Sequence, residues 1–201
     1  MLLKIYEITI IMLKISVICK KKITFFIVIK IFFMKNLIIV RHSKSSWELP
    51  LNDIDRPLSK RGIHNAHFIS SKIQDLLPKS FVIWSSNAKR ARETAMIFSQ
   101  NLLINYENII IKDELYTFDE KNLEEIIKKC ENMYDNLILF GHNEAITKFV
   151  NKFGDLFINN VPTSGVVSMQ FDIDDWSKLK KGKIIKSVFP SHYKHEQYKS
   201  E

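Results

Sequence analysis

The chain has 201 residues, 46% of them hydrophobic, with a formal net charge of +8. That length suits one domain with an appendage, and the apolar content allows a sizeable core. Residues 1–33 carry six lysines against Glu7, a net of +5, which leaves +3 for the rest. So mild an excess argues against a broad nucleic-acid surface and suits a pocket for anions. The two cysteines, Cys19 and Cys130, have neither metal-ligand spacing nor a pairing pattern, so a reducing, cytoplasmic setting is expected.

Residues 1–33 differ in composition from the remainder of the chain, being rich in Ile, Leu, Phe and Lys and free of Gly and Pro. Lys14, Lys20, Lys21, Lys22 and Lys30 interrupt the apolar runs before either reaches the roughly 18 uncharged residues that a spanning helix needs. No small-residue cleavage site comes after them, as a signal peptide would require. Three readings stand: a membrane-surface segment, an extra element packed on the domain, or a start assigned too early. Met34 is the expected beginning of the functional domain, which runs over 34–190, with a polar tail over 191–201. Membrane contact is expected only through 1–33.

Leu37–Val40 is a continuous apolar run and reads as a strand buried on both faces. It ends in Arg41-His42. Trp47–Pro57 is a polar loop rich in turn formers, with Trp47 as its anchor. Ser59 is placed to cap a helix over Lys60–Leu77, which Pro78 ends. A second strand covers Phe81–Trp84, and Ser85-Ser86-Asn87 leads into a helix over Ala88–Leu103. Arg90 lies near the start of that helix, where anions are favoured. A third strand, Asn108–Ile111, precedes a helix over Lys121–Glu131. The fourth, Asn136–Phe140, ends in Gly141-His142-Asn143, with the glycine expected to let the chain turn tightly. A helix over Glu144–Phe153, a strand over Val166–Phe171 and an edge strand over Lys183–Phe189 complete the pattern. His64, His67, His192 and His195 read as surface or structural residues.

Alternating strands and helices predict an α/β fold: a three-layer sandwich with a mostly parallel central sheet and helices on both faces. Strand carboxyl ends then share one edge, so Arg41, His42, Arg90 and His142 can converge there. Two guanidinium forks suit a phosphoryl group. One imidazole can attack phosphorus while the other stabilises charge on its oxygens. No carboxylate cluster, Walker loop or Cys-x5-Arg loop supplies the parts of metal- or cysteine-based phosphate chemistry.

These residues resemble the histidine phosphatase superfamily, the phosphoglycerate-mutase-like proteins. Arg41-His42-Ser43 stands for its opening Arg-His-Gly, Ser86-x-x-x-Arg90-Ala91-x-x-Thr94 for its second motif, and Gly141-His142 for its third. The fuller matches Arg41–Trp47, Asp55-Arg56-Pro57-Leu58-Ser59-x-Arg61-Gly62, Gly141-His142-Asn143 and Pro162-Thr163-x-Gly165 are similar to SixA-type phosphohistidine phosphatases. The resemblance covers about 35–190. It implies His42 as phospho-accepting nucleophile, with Arg41, Arg90 and His142 completing the phosphate pocket and no metal or other cofactor. Ser45 occupies the position of a small polar pocket residue, and Asn143 would orient the adjoining loop. Ser43 replaces the usual glycine. Many relatives carry a glutamate where this chain has Thr117, in Leu115-Tyr116-Thr117; Glu114, Asp53 and Asp55 are the remaining proton-donor candidates.

The implied substrate is a phosphohistidine-bearing signalling protein, such as a phosphotransfer domain. A neutral imidazole leaves more easily than an alkoxide, which fits the missing glutamate. No long insertion separates Thr94 from His142, so the pocket is expected to be open. Two alternatives stand beside this reading: a small-molecule phosphomonoesterase, and a non-catalytic relative that binds a phosphorylated partner. Neither composition nor motifs point to nucleic acid.

Overall fold

The computed structural model describes residues 34–193. The expectations for 1–33 and for 194–201 lie outside the described residues. Six strands form one sheet: β1 Met34–Arg41, β2 Val82–Ser86, β3 Ile109–Lys112, β4 Asn136–Gly141, β5 Val166–Asp172 and β6 Lys183–Val188. Their order is β3-β2-β4-β1-β5-β6. The pairs β1–β4, β2–β4 and β2–β3 are parallel, and β6 closes the edge antiparallel to β5.

Alternation along β1 divides the core. Leu37 and Ile39 point to one face, where they join Trp84, Leu137, Leu139 and Phe149. Ile38 and Val40 point to the other, with Ile69, Phe98, Ile138 and Phe140. The unbroken apolar run Leu37–Val40 is thus explained by a sheet covered twice. Helices α1 (Lys60–Ser71) and α2 (Lys89–Asn101) cover the second face. Helices α3 (Glu120–Lys128) and α4 (Ala145–Phe153) cover the first. The sandwich is the one expected.

Local departures have physical causes. Ser59 caps α1 by accepting from the Gly62 amide, as expected, but the helix stops at Ser71. Its apolar spacing continues through a 3-10 turn at Gln74–Leu76, which mimics helical periodicity. Strand β2 runs on through Ser85 and Ser86, both fully buried. Small hydroxyl residues survive there because Ser85 Oγ donates to the Ser86 carbonyl and Ser86 Oγ accepts from the Ala88 amide. Gly141 makes no turn: it remains in β4, paired with Arg41, and no glycine among the described residues has positive φ. Positive φ falls instead on two residues among those described, Leu103 at 55° after α2 and Ser164 at 63° in the loop before β5. Beyond β6, Pro190–Tyr193 form a 3-10 turn, and the Tyr193 ring meets Phe68 of α1 edge-on.

Candidate active site

Strands β1 and β4 are neighbours in register, Arg41 opposite Gly141. The next residues along each strand, His42 and His142, therefore emerge side by side at the carboxyl edge. Their ring centroids are 5.0 Å apart. Arg90 reaches the same point from the first turn of α2, only 2% exposed.

Neighbouring groups fix both imidazole tautomers. His42 Nδ1 lies 2.8 Å from the Ser43 carbonyl, which can only accept, so Nδ1 carries the proton. Its Nε2 keeps a lone pair and accepts from Arg90 Nε at 3.3 Å. Arg90 Nη2 also donates to His142 Nδ1 at 3.3 Å, so His142 carries its proton on Nε2, 2.8 Å from Ser86 Oγ. Burial pushes the His42 imidazole down to about 4; the Ser43 hydrogen bond opposes this, and the Arg90, Arg41 and Arg56 charges reinforce it. Burial lowers His142 further, with His42 and Arg90 adding to the effect. Both rings are neutral at pH 7, and His42 presents an unprotonated Nε2 to the pocket.

Arg41 donates from Nη1 to the Val161 carbonyl at 2.7 Å and, more weakly, to Asn160 Oδ1. Its Nε is buried with no hydrogen-bond partner. An unsatisfied guanidinium donor beside two neutral imidazoles is a feature an anion would complete.

A second layer holds these groups. Thr94 Oγ1 donates to the Arg90 carbonyl at 2.7 Å and accepts from the Ser43 amide at 2.9 Å, tying α2 to the loop after β1. This accounts for a threonine four residues after the arginine in the second motif. Ser164, amide and hydroxyl, bonds the same loop: its hydroxyl donates to Ser43 Oγ at 2.7 Å. A Cβ at Gly62 would overlap the Lys44 carbonyl oxygen, so α1 approaches this loop more closely than any side chain permits. That close approach is the physical content of the Leu-Ser-x-Arg-Gly motif.

Of the three proton-donor candidates, Asp53 is the one gripped by the site. Its Oδ2 accepts from Arg90 Nη2 at 2.8 Å and from the Tyr116 hydroxyl at 2.6 Å, and Arg56 lies 3.3 Å from Oδ1. Partial burial pushes its pKa up, but the Tyr116 and Arg90 hydrogen bonds and the Arg90 and Arg56 charges outweigh that and hold the carboxyl below its usual range. Glu114 pairs instead with Lys112 at 3.5 Å, and Asp55 is exposed on the Asp53–Asp55 turn.

Ser45 is buried, and its hydroxyl accepts from Arg56. Asn143 spends Oδ1 on the Thr147 amide and hydroxyl at the start of α4 and donates to Asn160 at 2.8 Å, so it braces the loop that holds Arg41. Four further site residues carry no role that sequence spacing assigns. Arg56, which the sequence shows only as part of a motif, is buried and stacks its guanidinium 3.4 Å above the Trp47 ring, which is otherwise 74% exposed. Ser86 orients His142. Tyr116 and Phe118 set their rings 5.3 and 5.5 Å from that of His142. Nothing in the spacing of Tyr116 or Phe118 marks them, since they stand in a loop.

The sequence matches the profile of the histidine phosphatase superfamily, branch 1, over residues 37–152. An uncharacterised chloroplastic protein of Arabidopsis thaliana is 46% identical over 63 residues, 30% of this chain and 28% of that protein. The match thus spans under a third of the relative's length. Among solved structures, the protein histidine phosphatase SixA complexed with tungstate aligns with a TM-score of 0.67 at 17% identity, covering 79% of this chain and 99% of that one. Phosphoglycerate mutase from Bacillus anthracis aligns with a TM-score of 0.60 at 14% identity, covering 83% and 97%. At such identities these structures establish the shared phosphoglycerate-mutase-like fold. No helix among the described residues is long and apolar enough to cross a membrane. The family match extends from β1 into α4, across Arg41-His42, Arg90 and His142, and the chain belongs to the histidine phosphatase superfamily.

Proposed function

We propose that this chain is a phosphohistidine phosphatase working through a phosphoenzyme on His42, with Arg41, Arg90 and His142 as the phosphate pocket. The observation that carries this is the pinned tautomer of His42: its Nδ1 proton is donated to the Ser43 carbonyl and its Nε2 lone pair faces Arg90, with the His142 ring 5.0 Å away.

In the first step Nε2 attacks phosphorus and the bond from phosphorus to the substrate nitrogen breaks. With its other nitrogen protonated, the substrate ring departs as neutral imidazole and needs no acid from the enzyme. In the second step water attacks phosphorus, the His42–phosphorus bond breaks, and orthophosphate leaves. The Nδ1 proton on Ser43 serves again, because His42 then departs as a neutral ring. Arg41 and Arg90 grip the phosphoryl oxygens. A dianion arriving beside His142 raises the affinity of its Nδ1 for a proton, which the ring takes up from solvent as the phosphoryl group draws Arg90 away, and the protonated ring donates to a phosphoryl oxygen.

The carboxylates favour P–N over alkyl P–O bonds. Asp53 is held ionised by two arginines and a tyrosine, so it is a poor acid for an alkoxide leaving group. The expected substrate is a phosphohistidine-bearing signalling protein in the cytoplasm, where the buried thiol of Cys130 remains reduced. The domain over 34–190 carries the activity. The test compares hydrolysis of a phosphohistidine protein and phosphoramidate with that of ethyl phosphate, with and without His42→Ala. Faster, His42-dependent turnover of the P–N substrates is expected; equal rates on the alkyl ester would refute the preference.

A further inference from the structure

The geometry points to a leaving-group subsite for a flat aromatic or heteroaromatic ring, walled by Tyr116 and Phe118 beside the phosphate pocket. It rests on the reading of that pocket given above and adds what lies next to the phosphoryl group.

Both rings stand at the pocket wall. The Tyr116 ring meets His142 edge-on at 5.3 Å, and its face lies 5.8 Å from the Arg90 guanidinium carbon. Phe118 lies 5.5 Å from His142 and 5.5 Å from Tyr116. A phosphoryl group held between Arg90 and His142 would have these two rings beside it, within reach of its substituent. The Tyr116 hydroxyl is fixed on Asp53 at 2.6 Å, so its ring is oriented before any ligand arrives. Phe118 is 49% exposed, although it adjoins the His142 ring, itself 1% exposed. A ring sealed against His142 would leave nothing for a ligand to touch. Half of this one is open, and an incoming ring would cover it by offset stacking or edge contact.

The chemistry of the wall is selective. A short alkyl substituent covers less of the wall than a flat ring does, and a sugar would bring hydroxyls against it. The imidazole of a phosphohistidine, or an aryl group, gains the contact. The subsite thus supplies discrimination by binding, separate from the discrimination by leaving-group basicity that Asp53 imposes.

The test uses binding of two phosphonates that cannot be hydrolysed, phenylphosphonate and ethylphosphonate, to the full chain by calorimetry. Phenylphosphonate is expected to bind about five- to tenfold more tightly. That ratio should fall below twofold in Phe118→Ala and survive in Phe118→Trp. Equal affinities in the unmodified chain overturn the subsite while leaving the phosphate pocket standing. Equal weakening of both ligands by Phe118→Ala also overturns it, since Phe118 would then act only by supporting His142. Binding of neither ligand removes the pocket itself, and with it both proposals.

Discussion

Arg90 donates from Nε to His42 Nε2 at 3.3 Å, a permanent cation hydrogen-bonded to a neutral base. The contact guards the lone pair and penalises its protonation. In the proposed mechanism, an arriving phosphoryl group would take over the arginine donors and expose the base to phosphorus in the same event.

The first prediction concerns pH. His42 is held near 4, below its ordinary value of 6.5, so between those limits the unfolded chain binds a proton that the folded one refuses. Stability contributed by the neutral ring is complete above pH 6.5 and is lost as pH falls toward 4. NMR titration should show the His42 ring neutral at pH 5.5. Thermal unfolding midpoints should fall across this window, and less steeply in His42→Ala. A His42 midpoint near 6.5 would contradict the assigned burial and charge environment.

Arg90→Lys keeps the charge and loses the fork. A lysine cannot serve His42, His142 and Asp53 together, as the guanidinium does. A fall in kcat on the order of 100-fold is expected, with a larger loss for Arg90→Ala. Steady-state kinetics with phosphoramidate measures it; a change within threefold for the lysine variant would remove Arg90 from the transition state.

Thr94→Val conserves shape and deletes one hydroxyl. The buried Ser43 amide then loses its acceptor, which costs about 1–3 kcal/mol. For a chain of this size that is a drop in melting temperature of roughly 2–12 °C. Because Ser43 also holds the His42 proton, kcat should fall with it. Differential scanning calorimetry beside the kinetic assay would reveal both effects, and an unchanged melting temperature would show the tie to be unimportant.

Gly62→Ala probes the close approach of α1 to the loop after β1. The added methyl must displace the Lys44 carbonyl, and the overpacking should cost about 1–3 kcal/mol. Urea unfolding is the measure. An unaffected midpoint would mean that the loop yields freely, and the explanation of the Leu-Ser-x-Arg-Gly motif would fail.

Much of the framework is legible in the chain alone. Buried strands such as Leu37–Val40 announce themselves because both faces are apolar, and strand-end histidines stand out against such runs. The groups around them are less legible. Tyr116 meets Asp53 across 63 residues, and no local pattern encodes that meeting. Buried serines in β2 look like helix caps until the partners of their hydroxyls are known. Gly141 resembles a hinge because glycine permits turning, yet a neighbouring loop places Ser164 in the left-handed region instead. Composition states what a backbone can do, and tertiary packing decides which of those options is used.

The pairing of β1 with β4 joins residues one hundred positions apart, Asn36 with Asn136 through Arg41 with Gly141. A slip of one residue would send each side chain of a strand to the opposite face and part the two histidines. So distant a parallel pairing is expected to form late, after most local structure. In a refolding experiment, catalytic turnover should therefore lag behind the recovery of helix signal, and its appearance marks the moment when the centre of the sheet locks into alignment.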